Sequence, residues 1–330
     1  MTAIEPEDFL FHDCNRHCSC LRLISPLCII QFYIKSGMRK IHFYKAKSRL
    51  GILYPPIHQK TLNIGVEDAP DVILTPDFLS QFCYVITEFE FPRPENISKA
   101  DYFNVLADKL KEFKTLINKT IKKDETQVVI GGDNSVTFSS LLALLERAED
   151  SKNVGYVQFD SHGEMNLYKT SPTKNFHGMY LRPFLDSFDI PQIKKIVKFK
   201  LPAHNLFFVG DLKLDVEEKR FFVKSKFANV NSMDVLKNKK SVVKKIEDFI
   251  GKFDYLHVNF DVDVFNQKEA LATGIPSDKG FMLADLFPIL KIASKHKNLS
   301  LDLSEVNPNK KGAKKTIQIA QKVLSTLLSY

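Results

Sequence analysis

The stretch Gly155-Tyr-Val-Gln-Phe-Asp160-Ser-His162-Gly-Glu164-Met-Asn166 sets acidic and imidazole side chains at every second position behind an apolar run. Such a run cannot go on as an ordinary half-buried strand, because buried carboxylates need a partner or a cation. It reads as a strand end opening onto a metal site. Asp133 and Asn134 follow the apolar run 127–130, Asp261 and Asp263 follow 255–260, and Glu305 and Asn307 follow 299–303. An isolated Asp-x-Asp is commonly a turn or a helix cap, but caps have no reason to be acidic at strand end after strand end. Four carboxylates at one edge (Asp160, Glu164, Asp261, Asp263) repel and raise one another's pKa unless a cation neutralises them. With His162 as the imidazole, the set suits Mn²⁺, Mg²⁺ or Zn²⁺, and two ions sharing bridging carboxylates would balance the charge. Two neighbouring metals generate a hydroxide nucleophile at neutral pH. Hydrolysis is the chemistry these residues permit.

The elements that must position them alternate β-branched or aromatic runs with amphipathic, lysine-rich segments, the signature of βα units around a parallel sheet. Strands are expected at 50–54, 82–86, 127–130, 154–159, 206–209, 255–260 and 299–303. Helices are expected at 102–118, 140–149, 242–250, 283–295 and 313–328. In an open parallel sheet ligands bind beyond the carboxyl ends of the strands, so the four clusters can converge on one crevice.

The 330 residues, 44% of them hydrophobic, suffice for a substantial core, and no internal repeat or Gly/Ser-rich linker divides them. Residues 1–37 read as an unstructured leader and 38–330 as one domain. The net charge of +8 comes from short lysine runs such as Lys122-Lys123 and Lys239-Lys240 with acids between them, a solvated surface rather than a nucleic-acid face. Cys14, Cys18, Cys20 and Cys28 fall in the leader and Cys83 in the body, which reads as a reduced protein. The run from His12 to Cys20 has zinc-ligand residue types without a closed four-ligand spacing. The apolar stretch 21–34 contains Arg22, Pro26 and Gln31 and falls short of the roughly 20 residues a membrane span needs. Glu5, Glu7 and Asp8 stand where a signal peptide would be basic. A cytoplasmic protein with neither membrane nor nucleic-acid partner is expected.

These residues resemble the arginase/agmatinase (ureohydrolase) family. Its Gly-Gly-Asp-His-Ser appears as Gly131-Gly-Asp-Asn134-Ser135, its Asp-Ala-His-x-Asp as Asp160-Ser-His162-Gly-Glu164, and its Phe-Asp-Val-Asp as Phe260-Asp261-Val-Asp263. Ala272-Thr-Gly-Ile-Pro276, Glu305-Val-Asn-Pro308 and Gly65-Val-Glu-Asp-Ala-Pro70 also match, so the resemblance runs from about Lys47 to the C-terminus. It implies a three-layer α/β/α fold with a parallel, about eight-stranded sheet, and hydrolysis of a small-molecule guanidinium substrate. It further implies two Mn²⁺ ions, bridged by Asp160 and Asp261, with His162 and Asp263 completing the second site. Glu305 would hold the guanidinium and His177 would shuttle a proton. Asn166, Thr173 and Asn175 stand at the α-carboxylate positions, and Asp215 with Glu218 at the α-amino position, which implies L-arginine rather than agmatine. A homotrimer is implied in the same way.

Two departures fall on the metal positions. Asn134, a neutral amide, replaces the histidine ligand of the first metal, and Glu164 replaces an aspartate. Lys174 replaces a glycine between the carboxylate-binding positions; its ammonium can attract a substrate carboxylate or fold inward among the acids. Two readings stay open: an arginase-type amidinohydrolase, and a catalytically silent arginase-like protein serving as a binding or regulatory module.

Overall fold

A computed structural model of the chain describes residues 20–25, 28–33, 39–53 and 63–329. Strands β1 (Cys20–Ser25) and β2 (Cys28–Tyr33) pair antiparallel as a hairpin inside the stretch read as a leader. Most of that stretch, including the run from His12 to Ser19, lies outside the described residues.

The central sheet contains β3 (Lys40–Lys47), β4 (Cys83–Glu90), β5 (Glu125–Gly131) and β6 (Val154–Phe159). It is completed by β7 (Leu206–Val209), β8 (Ala228–Val230), β9 (Tyr255–Asp261) and β10 (Leu299–Ser304). The spatial order is β4-β3-β5-β10-β9-β6-β7-β8, and every neighbouring pair is parallel. The expected eight-stranded parallel sheet is therefore present. Its four middle strands are the four whose ends carry the acidic and amide clusters. Phe159 pairs with Phe260, Phe260 with Leu303, and Leu303 with Ile130, so Asp160, Asp261, Ser304 and Gly131 leave the sheet in one row.

The helices are α1 (Ala69–Ile73), α2 (Pro76–Leu79), α3 (Tyr102–Thr120), α4 (Val136–Ala148), α5 (Pro191–Lys194), α6 (Val216–Ser225), α7 (Ser232–Ile250), α8 (Leu283–Ala293) and α9 (Ala313–Leu328). They form two layers. Strand side chains such as Val128, Ile130, Val157, Phe159, Val258 and Leu301 pack with α1, α2, α7, α8 and α9. Alternate residues such as Tyr44, Val129, Tyr156 and Phe208 pack with α3, α4 and α5 on the other face, which is the period-2 consequence of the pleat. In α9 the buried positions Thr316, Ile319, Ala320, Val323, Leu324 and Leu327 recur three and four apart and make one apolar stripe.

On the α4 face the middle strands carry a buried polar layer instead of an apolar one: Gln158, His257, Asn259, Ser300 and Asp302 are all at most 2% exposed. Asn259 donates to Asp302 at 2.7 Å and accepts from the Tyr180 hydroxyl at 3.1 Å. Tyr180 and Tyr156 share a hydroxyl contact of 3.2 Å, Tyr156 donates to Gln158, and Gln158 donates to Asp160 Oδ2 at 3.2 Å. Buried polar groups persist when they satisfy one another, and this chain of bonds ends on a site carboxylate.

The strand expected at 50–54 is not formed at 50–53, and Tyr54 lies outside the described residues. Leu50 N–H donates to Ser48 Oγ and Gly51 N–H to Asp133 Oδ2, so these amides fasten a loop rather than a ladder. The edge strand β8 and the upstream β3 carry too little pattern to stand out. Among the described residues no helix is long and apolar enough to cross a membrane.

Candidate active site

A cavity of about 540 Å³ opens beyond the carboxyl ends of the four middle strands. Its wall includes Asn134, His162, Glu164, Asn166, Thr173, His177, Asp215, Glu218, Asp261, Asp263 and Glu305, so nearly all the expected site residues meet there. Two expected residues do not line it. Asp160 is fully buried beside His162, and Asn175 is fully buried with its Oδ1 accepting from Leu53 N–H at 2.9 Å.

One group has the spacing of a cation site: ligand atoms of Asp160, His162 and Asp263 lie within 4.8 Å of one another. His162 Nδ1 stands 3.0 Å from Asp263 Oδ2 and 3.6 Å from Asp160 Oδ1. The loops are held by their own carboxylates. Asp160 Oδ1 accepts from His162 N–H, Asp261 Oδ1 from Asp263 N–H, and Asp263 Oδ1 from Ser161 N–H, which ties the β6 loop to the β9 loop. Burial, and after it Asp263, raises the Asp160 carboxyl to about 7; burial and the same neighbour push Asp261 well up. Burial also opposes charge on Asp263, yet His162 and the Ser161 N–H hold that carboxyl below its ordinary range. Glu164 is likewise pushed well up, by burial first and then by Asp160, and its Oε2 finds no hydrogen-bond partner among the described residues. Carboxylates so crowded around one imidazole, their ligand atoms within 4.8 Å of one another, fit one divalent cation at Asp160, His162 and Asp263.

A second ion is not served in the same way. The Asn134 NH₂ donates to Asp261 Oδ2 at 2.6 Å, while its carbonyl oxygen accepts from the Ser304 hydroxyl. The reverse sense would set oxygen against oxygen, so the amide turns its donor to the cluster, and a donor is no ligand. Residues present at the first site therefore do not fit an ion as they stand.

Glu305 and His177 face each other across the cavity. Glu305 Oε1 accepts from Asn134 N–H at 3.1 Å and lies 3.4 Å from His177 Nδ1, and Oε2 accepts from Asn63 Nδ2 at 3.1 Å. Burial works against an imidazolium at His177, but the Glu305 carboxylate outweighs it and raises the ring's pKa. Asn63 is itself held by Asn307 Nδ2 at 2.7 Å. Sequence reading missed Asn63, which stands outside every motif; Gln158 carried a signal, since it shares its strand face with Asp160.

The amino-acid end of the cavity differs from expectation. Lys174 neither joins the acids nor lines the cavity: its Nζ donates to the carbonyls of Tyr168 and Lys169 at 2.7 and 2.9 Å. Glu218 spends Oε1 on Met165 N–H and Oε2 on Asp215 N–H, closing the start of α6 as a capping residue. Burial raises its carboxyl to about 7, with those N–H groups pulling the other way. Asn166 Nδ2 donates to Asp215 Oδ2 at 3.0 Å, and Asn166 Oδ1 is left without a hydrogen-bond partner among the described residues.

A doubly covered parallel sheet whose middle strand ends gather carboxylates and imidazoles around one cavity is the architecture of a metal-assisted hydrolase. The chain belongs to the Arginase family, whose family model matches residues 45–329 and whose members hydrolyse guanidino substrates. An arginase of Entamoeba histolytica is 27% identical over 256 residues, covering 74% of this chain and 86% of that protein. An arginase of Plasmodium berghei is 29% identical over 226 residues, covering 64% of this chain and 60% of that longer protein. The crystal structure of the Entamoeba histolytica arginase in complex with L-ornithine superposes with a TM-score of 0.78 at 24% identity, over 89% of this chain and 99% of that one.

Proposed function

We propose that residues 38–330 form an arginase-type amidinohydrolase that converts L-arginine to L-ornithine and urea. The observation that carries this reading is the meeting, in one cavity, of the Asp160, His162 and Asp263 group with the Glu305 and His177 pair. Asp160, His162 and Asp263 would hold a Mn²⁺ ion, which would supply Lewis-acid activation of water at neutral pH. Glu305, fixed by Asn63 and by Asn134 N–H, accepts hydrogen bonds from the guanidinium and so orients the carbon to be attacked. His177, whose imidazolium the Glu305 carboxylate favours, delivers a proton to the departing amine. Asp261, Glu164 and Asn134 surround the first metal position, where the Asn134 amide supplies a donor and no ligand. The protein works in the cytoplasm, where the buried free thiol of Cys83 stays reduced, and assembles as a homo-oligomer, a trimer by kinship.

The Asn134 to Asp261 bond favours a second reading, in which the fold persists as a silent binding module. Urea release from L-arginine with added Mn²⁺ decides between them. Turnover of L-arginine ahead of agmatine supports the arginase reading. No urea from any guanidino compound, with protein that is folded and metal-loaded, replaces it by the silent one.

A further inference from the structure

Among the described residues the cavity wall carries one lysine, Lys213, to which the family resemblance gives no role. Its backbone N–H donates to Ser161 O at 2.7 Å, which anchors it beside His162 while leaving a four-carbon side chain to reach into the cavity. The ammonium's charged neighbour is Asp278, 3.9 Å away, with side chains 44% and 74% exposed. A pair that long and that wet does not immobilise a lysine.

Of the residues expected to bind a substrate carboxylate, Asn166 and Thr173 line the cavity and neither carries a charge. Asn175 is buried off the cavity wall, Lys174 is bound to two carbonyls, and Asn166 has committed its NH₂ to Asp215. Asn166 and Thr173 offer the cavity neutral groups only, and Asn166 Oδ1 is buried rather than open to it. A carboxylate entering a pocket floored by acids needs a cation, and Lys213 is the lysine positioned to supply it. Asp215, a carboxylate on the same wall, suits an ammonium. We propose that Lys213 binds the substrate's carboxylate, beside the ammonium that Asp215 would take by family resemblance, so that the cavity selects guanidino acids over guanidino amines. This rests on the amidinohydrolase reading for its substrate class.

The test separates the two by measuring binding as well as turnover. The full-length, Mn²⁺-loaded protein is titrated calorimetrically with L-ornithine and with 1,4-diaminobutane, which differ by one carboxylate. Wild type is expected to prefer L-ornithine, Lys213→Ala to lose about tenfold of that preference, and Lys213→Arg to keep it. In the urea assay the ratio of kcat/KM for L-arginine to that for agmatine falls in parallel. Circular dichroism melts confirm that the variants are folded. Equal preference in wild type and Lys213→Ala overturns the assignment, as does a wild type that binds both amines alike or neither. Absence of urea from every guanidino compound overturns the hydrolase reading instead, while the binding ratio still decides the role of Lys213.

Discussion

Replacing Asn134 by histidine exchanges an amide donor for a ring nitrogen with a lone pair, at the end of β5 where the NH₂ now holds Asp261. Paired with Glu164→Asp, which shortens the carboxylate serving the same position, the change is expected to add a second tight Mn²⁺ to the one at Asp160, His162 and Asp263, read by titration, and to raise urea production. Two tight ions in the double variant without any hydrolysis would put the defect in the substrate pocket. Glu164 and Glu305 both sit in the left-handed region, at φ of 58° and 67°, as do Asn63 at 50° and Lys174 at 61°. Side chains rarely adopt it, and such strain gathers where a site must aim its groups. The candidate ligand types were legible in the sequence, as acidic and imidazole residues at strand ends; aim was not, because neither φ nor the sense of an amide leaves a mark on composition. His177 makes a titration prediction. Its pKa lies above the ordinary 6.5 because of Glu305, so its charged form contributes stability that is complete below that value and is lost as pH rises through the folded pKa. Glu305→Gln removes the anion, and the His177 midpoint in an NMR titration is expected to move down. An unmoved midpoint would show that Glu305 does not hold the imidazolium.

At the scale of elements, the middle strands and α9 were read from sequence almost residue for residue, because long apolar runs and a sustained three-and-four spacing have few competing interpretations. The first half of α7 was not. Asn238 breaks its helical backbone at φ −155°, and Asn231 with Asp234 caps the upstream piece, so the clean period starts only at Val242. Glu218 shows the opposite error, a local signature overlooked: Asp215-Val-Glu-Glu218 is a capping pattern, and the structure gives its carboxylate to backbone amides rather than leaving it free for ligand. Gly210, just after β7, tests how rigidly one element sets another. A Cβ there would lie 1.7 Å from the carbonyl oxygen of Asp160, a backbone atom that cannot swing aside as a side chain would. Gly210→Ala is expected to destabilise the fold by about 1–3 kcal/mol in urea denaturation and to weaken Mn²⁺ binding together with it, since the displaced residue is Asp160. Loss of stability with unchanged metal affinity would mean that the β6 loop yields without moving its carboxylate.

At the scale of the whole molecule, the strand order divides the chain by time as well as by space. Strands β3, β4 and β5 make one wing of the sheet and β6, β7 and β8 the other, and these come first along the chain; β9 and β10, which come last, fill the gap between the wings. During synthesis, then, two half-sheets emerge with their inner edges open, and such edges invite pairing with other chains. The contacts that close the gap span long stretches of sequence, which makes the closing step slow. Pulse-labelled hydrogen exchange during refolding is expected to protect amides within β3–β4 and β6–β7 before those joining β10 to β5 and β9 to β6; simultaneous protection would refute the order. No chain that stops before Glu305 can bring Asp160, Asp261 and Glu305 together, so the cavity doubles as a certificate that synthesis has passed β10.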